Sequence, residues 1–152
     1  MKESKKVVVL GLDCAAPQLV FDKYASELKN LTQLRNNGIW GELTSVIPAI
    51  TVPAWACSMT SRDPGQLGIY GFRNRKDHSY EALSLANSML VKHDAVWDLL
   101  SSQGSDVILV GVPPSYPPKP VKGLRVGCFL TPSIDSDYTY PSKLKSTASI
   151  LP

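Results

Sequence analysis

The sequence predicts an α/β fold with a mostly parallel sheet, and three features of the chain indicate it. Continuous apolar runs, typical of strands buried on both faces, occur at residues 5–13 and 106–112. Segments with helical spacing of apolar residues alternate with such runs. Glycines and prolines punctuate the chain between these segments. This alternation is the pattern of strands connected by crossover helices.

In the first half of the chain, residues 5–13 form the first predicted strand. Residues 17–37 carry apolar side chains at helical spacing and predict one helix, or two with a break near Lys29, with Gly38 as the stop. Residues 39–46 are a second strand candidate. Residues 54–60 then continue as a short helix, for which Pro53 suits the first turn.

The second half repeats the alternation. Residues 80–85 are expected to form a short strand or to stay irregular after the polar, loop-like segment 74–79. The segment 94–104 has the pattern of a capped amphipathic helix closed by a glycine. The remaining expectations are a third buried strand at 106–112, a proline-rich shaped loop at 113–120, a fourth strand nearer an edge at 124–130, and an irregular tail at 131–152.

Composition limits the classes of function. A chain of 152 residues with 43% hydrophobic residues suits about one globular domain. The net charge of +3 is mild, and the scattered basic residues form no nucleic-acid stripe. Three widely spaced cysteines argue against a disulfide framework and fit a reducing cytoplasm. The apolar run near the start is too short for a secretory core or a membrane span.

Two residues, Thr51 and Asp13, lie at positions where such folds usually carry their functional side chains. Thr51 lies between Pro48 and Pro53 at a predicted helix entrance, where a hydroxyl either caps the helix or acts as a nucleophile towards an anion held by the helix N–H groups. Asp13 closes the first predicted strand, and ligand crevices of open α/β sheets lie beyond the carboxyl ends of strands. A solvated acid opening the next turn is the alternative for Asp13.

Several phosphate chemistries do not fit. Asp13 lacks the second aspartate two positions on that haloacid-dehalogenase-type phosphatases carry, and Cys57 and Arg62 are one residue too close for a tyrosine-phosphatase loop. Gly11 belongs to neither a dinucleotide fingerprint nor a nucleotide P-loop.

The ordered segments VVVLGLDCAAP, LTQLRNNGIWGEL, PAITVPAWACSMTSRDPGQLGIYGF, VWDLLSSQG, VILVGVPPSYPPKPVKG and TPSIDSDYTYP together resemble the type I phosphodiesterase and nucleotide pyrophosphatase group of the alkaline phosphatase superfamily. The resemblance implies an alkaline-phosphatase-like three-layer αβα sandwich, present here in part. Residues 1–152 would be the amino-terminal portion of its catalytic domain, with 131–152 as an irregular tail.

By position, the resemblance implies that Asp13 binds a divalent metal and that Thr51 is both the nucleophile and a metal ligand. Two ions, zinc or else manganese, would hold the attacking and leaving oxygens of a phosphate ester, and a phosphothreonine would form. The family's later aspartates and histidines are not matched, since His78 and His93 lie in other contexts. The chain is therefore expected to be inactive by itself, with the remaining ligands outside it.

Three positions within residues 48–72 differ from the family pattern, and these differences leave the substrate class open. Ser61 and Leu67 replace a usual glycine and histidine, and Phe72 stands where nucleotide pyrophosphatases place a substrate-binding asparagine. Asn74, two positions later, is the candidate substrate contact. Hydrolysis of phosphate monoesters or diesters, sulfatase-like chemistry and phosphonate chemistry stay open.

A non-catalytic α/β domain that binds a phosphorylated ligand or a protein partner is the alternative to the enzyme. The expected partner is a small phosphorylated substrate, with no membrane and no nucleic acid. An open sheet edge would also favour self-association.

Overall fold

A computed structural model describes residues 5–148 of the chain, which forms two compact units that divide between Thr44 and Ser45. The first unit contains a π-helical segment (Gln18–Lys23) and helix α1 (Lys29–Asn37). The second unit contains the other elements, in chain order α2 (Thr51–Thr60), α3 (Pro64–Leu67), β1 (Arg73–Arg75), β2 (Leu83–Leu85), α4 (Val96–Ser102), β3 (Val107–Val110), β4 (Gly123–Val126), β5 (Thr139–Tyr140), a 3₁₀ turn (Ser142–Leu144) and α5 (Lys145–Ala148).

The first apolar run is not a strand. Residues 5–12 are irregular and exposed, with Val8 at 90% of its full exposure. The second candidate, residues 39–46, is irregular as well, and Ile39 is fully exposed. A strand needs a neighbour to accept its backbone hydrogen bonds, and the described part of the first unit contains helices and irregular segments only. The predictions of a buried strand at 5–13 and of a strand at 39–46 are therefore wrong.

The helical prediction for the first unit is confirmed in its two-helix form. The helices are separated at residues 24–28, and Gly38 ends α1. The hydroxyl of Thr32 donates to the Ala25 carbonyl across this break at 2.7 Å. The Arg35 guanidinium lies over the Trp40 ring at 3.9 Å and over the Phe21 ring at 5.0 Å, and the two ring centres are 5.0 Å apart. These cation–π contacts connect the π-helical segment with α1.

The second unit has a buried cluster around α2, which we call the α2 cluster. The cluster consists of buried residues from α2, from α3 and from the segments that follow α3: Val52, Ala56, Cys57, Leu67, Ile69 and Ala86. Val52 and Ile69 have no exposed surface at all. These buried residues come from α2, from α3 and from both sides of the β1–β2 hairpin. The cluster therefore fixes the positions of these segments between residues 51 and 86.

The sheet of the second unit has the order β3–β4–β5. Strands β3 and β4 are parallel, with Val107 opposite Gly123, and β4 and β5 are antiparallel. The strand predicted at 124–130 is thus shorter and central, and the expectation that it lies nearer an edge is wrong. Its second neighbour, β5, comes from the 131–152 segment expected to be irregular, where two residues pair without any apolar pattern.

Strand β3 is buried on one face only, contrary to the prediction. Val107 and Leu109 pack with Val121, Trp97 and Tyr140, whereas Ile108 and Val110 on the other face are 74% and 61% exposed. Helix α4, predicted from its pattern, contacts β3. The described residues thus form a mixed α/β structure with small sheets, consistent with a fragment of an alkaline-phosphatase-like fold; a three-layer sandwich is not confirmed.

Two connecting segments complete the second unit. The 113–120 loop is irregular, as predicted, and its residues Pro113, Pro114 and Ser115 are buried. The polar segment expected to be a loop contributes β1, which pairs with β2 in an antiparallel hairpin with Asn74 opposite Ser84. Between residues 5 and 148, no helix has the length and apolar character needed to cross a membrane.

The β3–β4 pairing predicts a strong effect of a single methyl group at Gly123. Gly123 has a φ of 139°, and a Cβ there would overlap the Val107 carbonyl on the neighbouring strand. We expect Gly123→Ala to lower the free energy of unfolding by about 2–4 kcal/mol, measured by urea denaturation.

The matched control is Gly71→Ala, where the nearest atom to an added Cβ is the Arg73 carbonyl at an ordinary 3.8 Å. Equal stability of the two variants would contradict the described register of β3 and β4.

Candidate active site

Thr51 is the first residue of α2. The residue before it, Ile50, is extended (φ −122°, ψ 144°) and is the N-cap, and its carbonyl accepts the Ala54 N–H at 3.0 Å. The helix thus begins three residues earlier than the predicted 54–60, while Pro53 lies in the first turn as expected. The hydroxyl is half-buried, at the end of a helix whose first N–H groups have no acceptor within the helix.

The two residues after Thr51 hold it in place. Val52 is completely buried, and Pro53 is also among the fully buried side chains. Because the Val52 side chain lies in the α2 cluster and the Pro53 ring restricts its own backbone, the first turn cannot rotate without disrupting this core. Thr51 is therefore presented from a rigid helix terminus, the arrangement required of an oriented hydroxyl group.

The end of α2 explains a departure from the family pattern. Ser61 caps the helix in the left-handed conformation (φ 55°, ψ 34°), and its N–H donates to the Cys57 carbonyl at 2.8 Å. Glycine adopts this conformation without the cost that a Cβ imposes, which accounts for a glycine at this position in the family pattern.

The next turn is capped through Asp63. Its carboxylate accepts the Gln66 N–H at 2.8 Å, and the Gln66 amide oxygen accepts the Asp63 N–H at 3.2 Å. Pro64 is the first residue of α3, and Gly68 ends it in the left-handed conformation. These reciprocal bonds fix the direction of the chain from α2 towards residues 69–74.

Cys57 is confined to a structural role. It is only 6% exposed in the α2 cluster. Burial raises the pKa of its thiol, and the charge of Asp63 raises this pKa further. A raised pKa lowers the thiolate fraction at neutral pH, which agrees with the exclusion of a cysteine nucleophile.

Asn74, the predicted substrate contact, lies in β1 and is 6% exposed. Its amide oxygen accepts the Tyr70 N–H at 2.7 Å, and its amide nitrogen donates to the Gly71 carbonyl at 3.0 Å. These bonds close the 70–74 turn and leave one amide hydrogen for any further acceptor. No observation tests a contact between Asn74 and a substrate.

Asp13 is an exposed residue in a turn of the first unit, before the π-helical segment. The next residue, Cys14, has a φ of 58°. Thr51 and Asn74 belong to the second unit. The metal role of Asp13 stays a prediction.

Within residues 5–148, no group of three or more histidine, cysteine, aspartate or glutamate side chains is placed to hold a metal ion. A zinc site needs three or four protein ligands, so these residues do not fit the two-metal centre that the resemblance implies.

The described part of the chain is thus a mixed α/β structure in which Thr51 begins a helix and the next two residues are buried. The family model for type I phosphodiesterase / nucleotide pyrophosphatase matches residues 7–149, so the chain belongs to that family. No curated protein and no solved structure gave a significant match to the chain.

The left-handed Ser61 predicts a stabilising substitution. We expect Ser61→Gly to raise the free energy of unfolding by about 1 kcal/mol, because glycine adopts φ 55° without strain. Ser58→Gly, in the exposed interior of the same helix, should instead lower it by about 0.5 kcal/mol. Thermal or urea unfolding measures both; two changes of the same sign would contradict the assigned helix end.

Proposed function

We propose that this protein is a metal-dependent hydrolase of phosphate monoesters or diesters that acts through a phosphothreonine at Thr51. Membership of the type I phosphodiesterase / nucleotide pyrophosphatase family supports the hydrolase class. The observation that supports the nucleophile is the position of Thr51 as the first residue of a ten-residue helix whose next two residues, Val52 and Pro53, are buried.

The chemistry at Thr51 needs an anion in front of the helix. The phosphoryl oxygens of the ester would face the N–H groups of the first turn, where the helix dipole favours negative charge. The Thr51 oxygen would attack phosphorus and lose its proton to water. The bond from phosphorus to the ester oxygen would break, and that oxygen would take up a proton from water and leave as the alcohol. Water would then hydrolyse the phosphothreonine to phosphate, or to a phosphomonoester from a diester, and regenerate Thr51.

Helix N–H groups would also stabilise the charge that develops on the phosphoryl oxygens in the transition state. The anchored first turn supports this role, because donors that are already oriented need no reorganisation during the reaction. The same rigidity would keep the hydroxyl in line with phosphorus. Holding two reacting groups in the correct geometry lowers the activation free energy considerably.

We also propose two divalent ions, zinc or manganese, because the family resemblance implies them. Asp13 and Thr51 would be their ligands within this chain. Residues 5–148 assemble no group of three ligands, so the remaining ligands would lie outside them. Residues 1–152 expressed by themselves should accordingly show negligible turnover with either ion added. Robust zinc- or manganese-dependent hydrolysis by that piece would show that its ligand set is larger than we propose.

The substrate is proposed only as a small phosphorylated molecule, with Asn74 as a contact through its remaining amide hydrogen. The cytoplasmic location expected from the cysteines is also a proposal; Cys14, Cys57 and Cys128 are free thiols. The alternative, a non-catalytic domain that binds a phosphorylated ligand, is favoured by the missing ligand group within the described residues.

The nucleophile is tested by introducing Thr51→Ala into the gene in the source cells and purifying the protein in the form that those cells make. We expect turnover of p-nitrophenyl phosphate or bis-p-nitrophenyl phosphate to fall at least about 1,000-fold, since no other group replaces the attacking oxygen. Thr51→Ser, which keeps the hydroxyl, should retain measurable turnover.

The control variant is Ser58→Ala, on the same helix, whose hydroxyl only donates to the Ala54 carbonyl at 2.8 Å. Turnover by Ser58→Ala should match that of the unmodified protein. Unchanged turnover in Thr51→Ala would refute the nucleophile, and ester binding without any turnover in the unmodified protein would support the non-catalytic alternative.

A further inference from the structure

The β1–β2 hairpin has an inverted distribution of polar and apolar side chains. On its inner face, Asn74 lies opposite Ser84, Asn74 is buried, and Ala86, two residues further along, belongs to the α2 cluster. On its outer face, Leu83 and Leu85 are 56% and 65% exposed. An antiparallel sheet with one solvated face normally turns its polar side chains outwards. The outer face of this hairpin is therefore suited to an apolar partner.

The neighbouring strand gives the same outer face a positive charge. Arg73 lies opposite Leu85 and Arg75 lies opposite Leu83, so the four side chains share one face of the hairpin. Among the residues that the structure describes, neither arginine forms a salt bridge with a carboxylate. Two guanidinium groups beside two exposed leucines match a partner that is both anionic and apolar.

Tyr80 extends this face at the tip of the hairpin. It is 87% exposed, and the Arg75 guanidinium lies 4.8 Å from the centre of its ring. Tyrosine has an apolar ring and a polar hydroxyl, and it is enriched at the boundary between a membrane and water. We call Arg73, Arg75, Tyr80, Leu83 and Leu85 the hairpin face.

The acidic residues of the hairpin lie in its connecting loop and not on its strands. The Asp77 carboxylate accepts the Ser79 N–H at 2.7 Å, and Glu81 is exposed. Together with Lys76, the hairpin carries three cations against two carboxylates, while the hairpin face itself carries no carboxylate. The face is therefore complementary in charge to an anionic surface.

The size of the hairpin face favours a bilayer over a folded protein as the partner. Two outward residues on each of two strands cover roughly 7 by 5 Å of backbone. This is far below the area of about 800 Å² that each partner of a stable protein complex buries. At a bilayer, each basic side chain near anionic headgroups and each inserted apolar side chain adds to binding separately, so a small face is sufficient.

We propose that the hairpin face docks on the surface of a bilayer that contains anionic phospholipids. Arg73 and Arg75 would contact the headgroup phosphates, and the leucines would lie at the boundary of the acyl chains. Docking of this kind needs no spanning segment, so it differs from the expectation of no membrane partner, which considered only a span. It is independent of the proposed hydrolase function, because neither Thr51 nor Asn74 belongs to the hairpin face.

The proposal is tested by co-sedimentation of the protein, in the form that its source cells make, with lipid vesicles. We expect binding to phosphatidylcholine vesicles that contain about 30% phosphatidylserine and much weaker binding to phosphatidylcholine alone. Arg73→Gln and Arg75→Gln should each weaken this binding about 5-fold. Leu83→Thr combined with Leu85→Thr keeps residues that suit a strand but removes apolar surface, and it should weaken binding at least about 10-fold.

The matched controls are Lys143→Gln and Ile134→Thr, which remove an exposed cation and an exposed apolar side chain outside the hairpin. Both should bind vesicles as the unmodified protein does. Thr51→Ala should also bind unchanged, so loss of the hydrolase proposal and loss of this one are distinguishable. Equal binding by the hairpin variants and the controls, or release from vesicles by soluble glycerol phosphate, would overturn the proposal.

Hydrogen exchange gives a readout that does not depend on the stability of variants. The backbone amides of residues 73–85 should exchange more slowly when anionic vesicles are present. Unchanged exchange in this segment, or protection by a soluble acidic peptide and not by vesicles, would overturn the bilayer as the partner.

Discussion

The complete burial of Val52 and Pro53 in the first turn of α2 is the constraint on which the rest of the site depends. Val52 packs into the same cluster as Leu67 of α3 and Ile69, which follows α3. The residue just before them, Thr51, therefore receives a defined position from core packing and not from its own side chain. A hydroxyl at a helix end is common, but one held by a closed core is suited to chemistry that needs precise orientation.

The same constraint extends along the chain to the 70–74 turn. The capping bonds of Asp63 and Gln66 set the direction of α3, and Asn74 then ties the backbone at Tyr70 and Gly71. Each of these polar side chains forms hydrogen bonds with the backbone and fixes its geometry. The segment from Thr51 to Asn74 thus combines a packed core with local hydrogen bonds, and both fix the path of its backbone.

Helices and turns could be predicted from the sequence because their signals are local. Gly38, Pro53 and the prolines of the 113–120 loop act on their own backbone, and the structure follows them. Strands were harder, because an apolar run shows only that a segment could be buried, while pairing depends on distant residues. Residues 5–12 have the strongest apolar pattern and no partner strand, and Thr139–Tyr140 has no pattern yet pairs with β4.

The candidate site divides in the same way. Thr51 was predicted because prolines mark a helix entrance, and the start of α2 agrees. The buried Arg125 was missed, although it occupies an inward position of a strand between apolar neighbours, which was the one available signal. Its burial depends on residues far apart in the chain, so the sequence alone does not show it.

The most direct measurement of the central claim is mass spectrometry of the native protein, quenched in acid during turnover of a phosphate ester. The account predicts a phosphoryl group on Thr51, seen as a gain of one phosphate in the peptide that carries residues 48–62. Phosphate on a different residue, or hydrolysis with no covalent phosphoenzyme under conditions that trap one in a control enzyme, would contradict it.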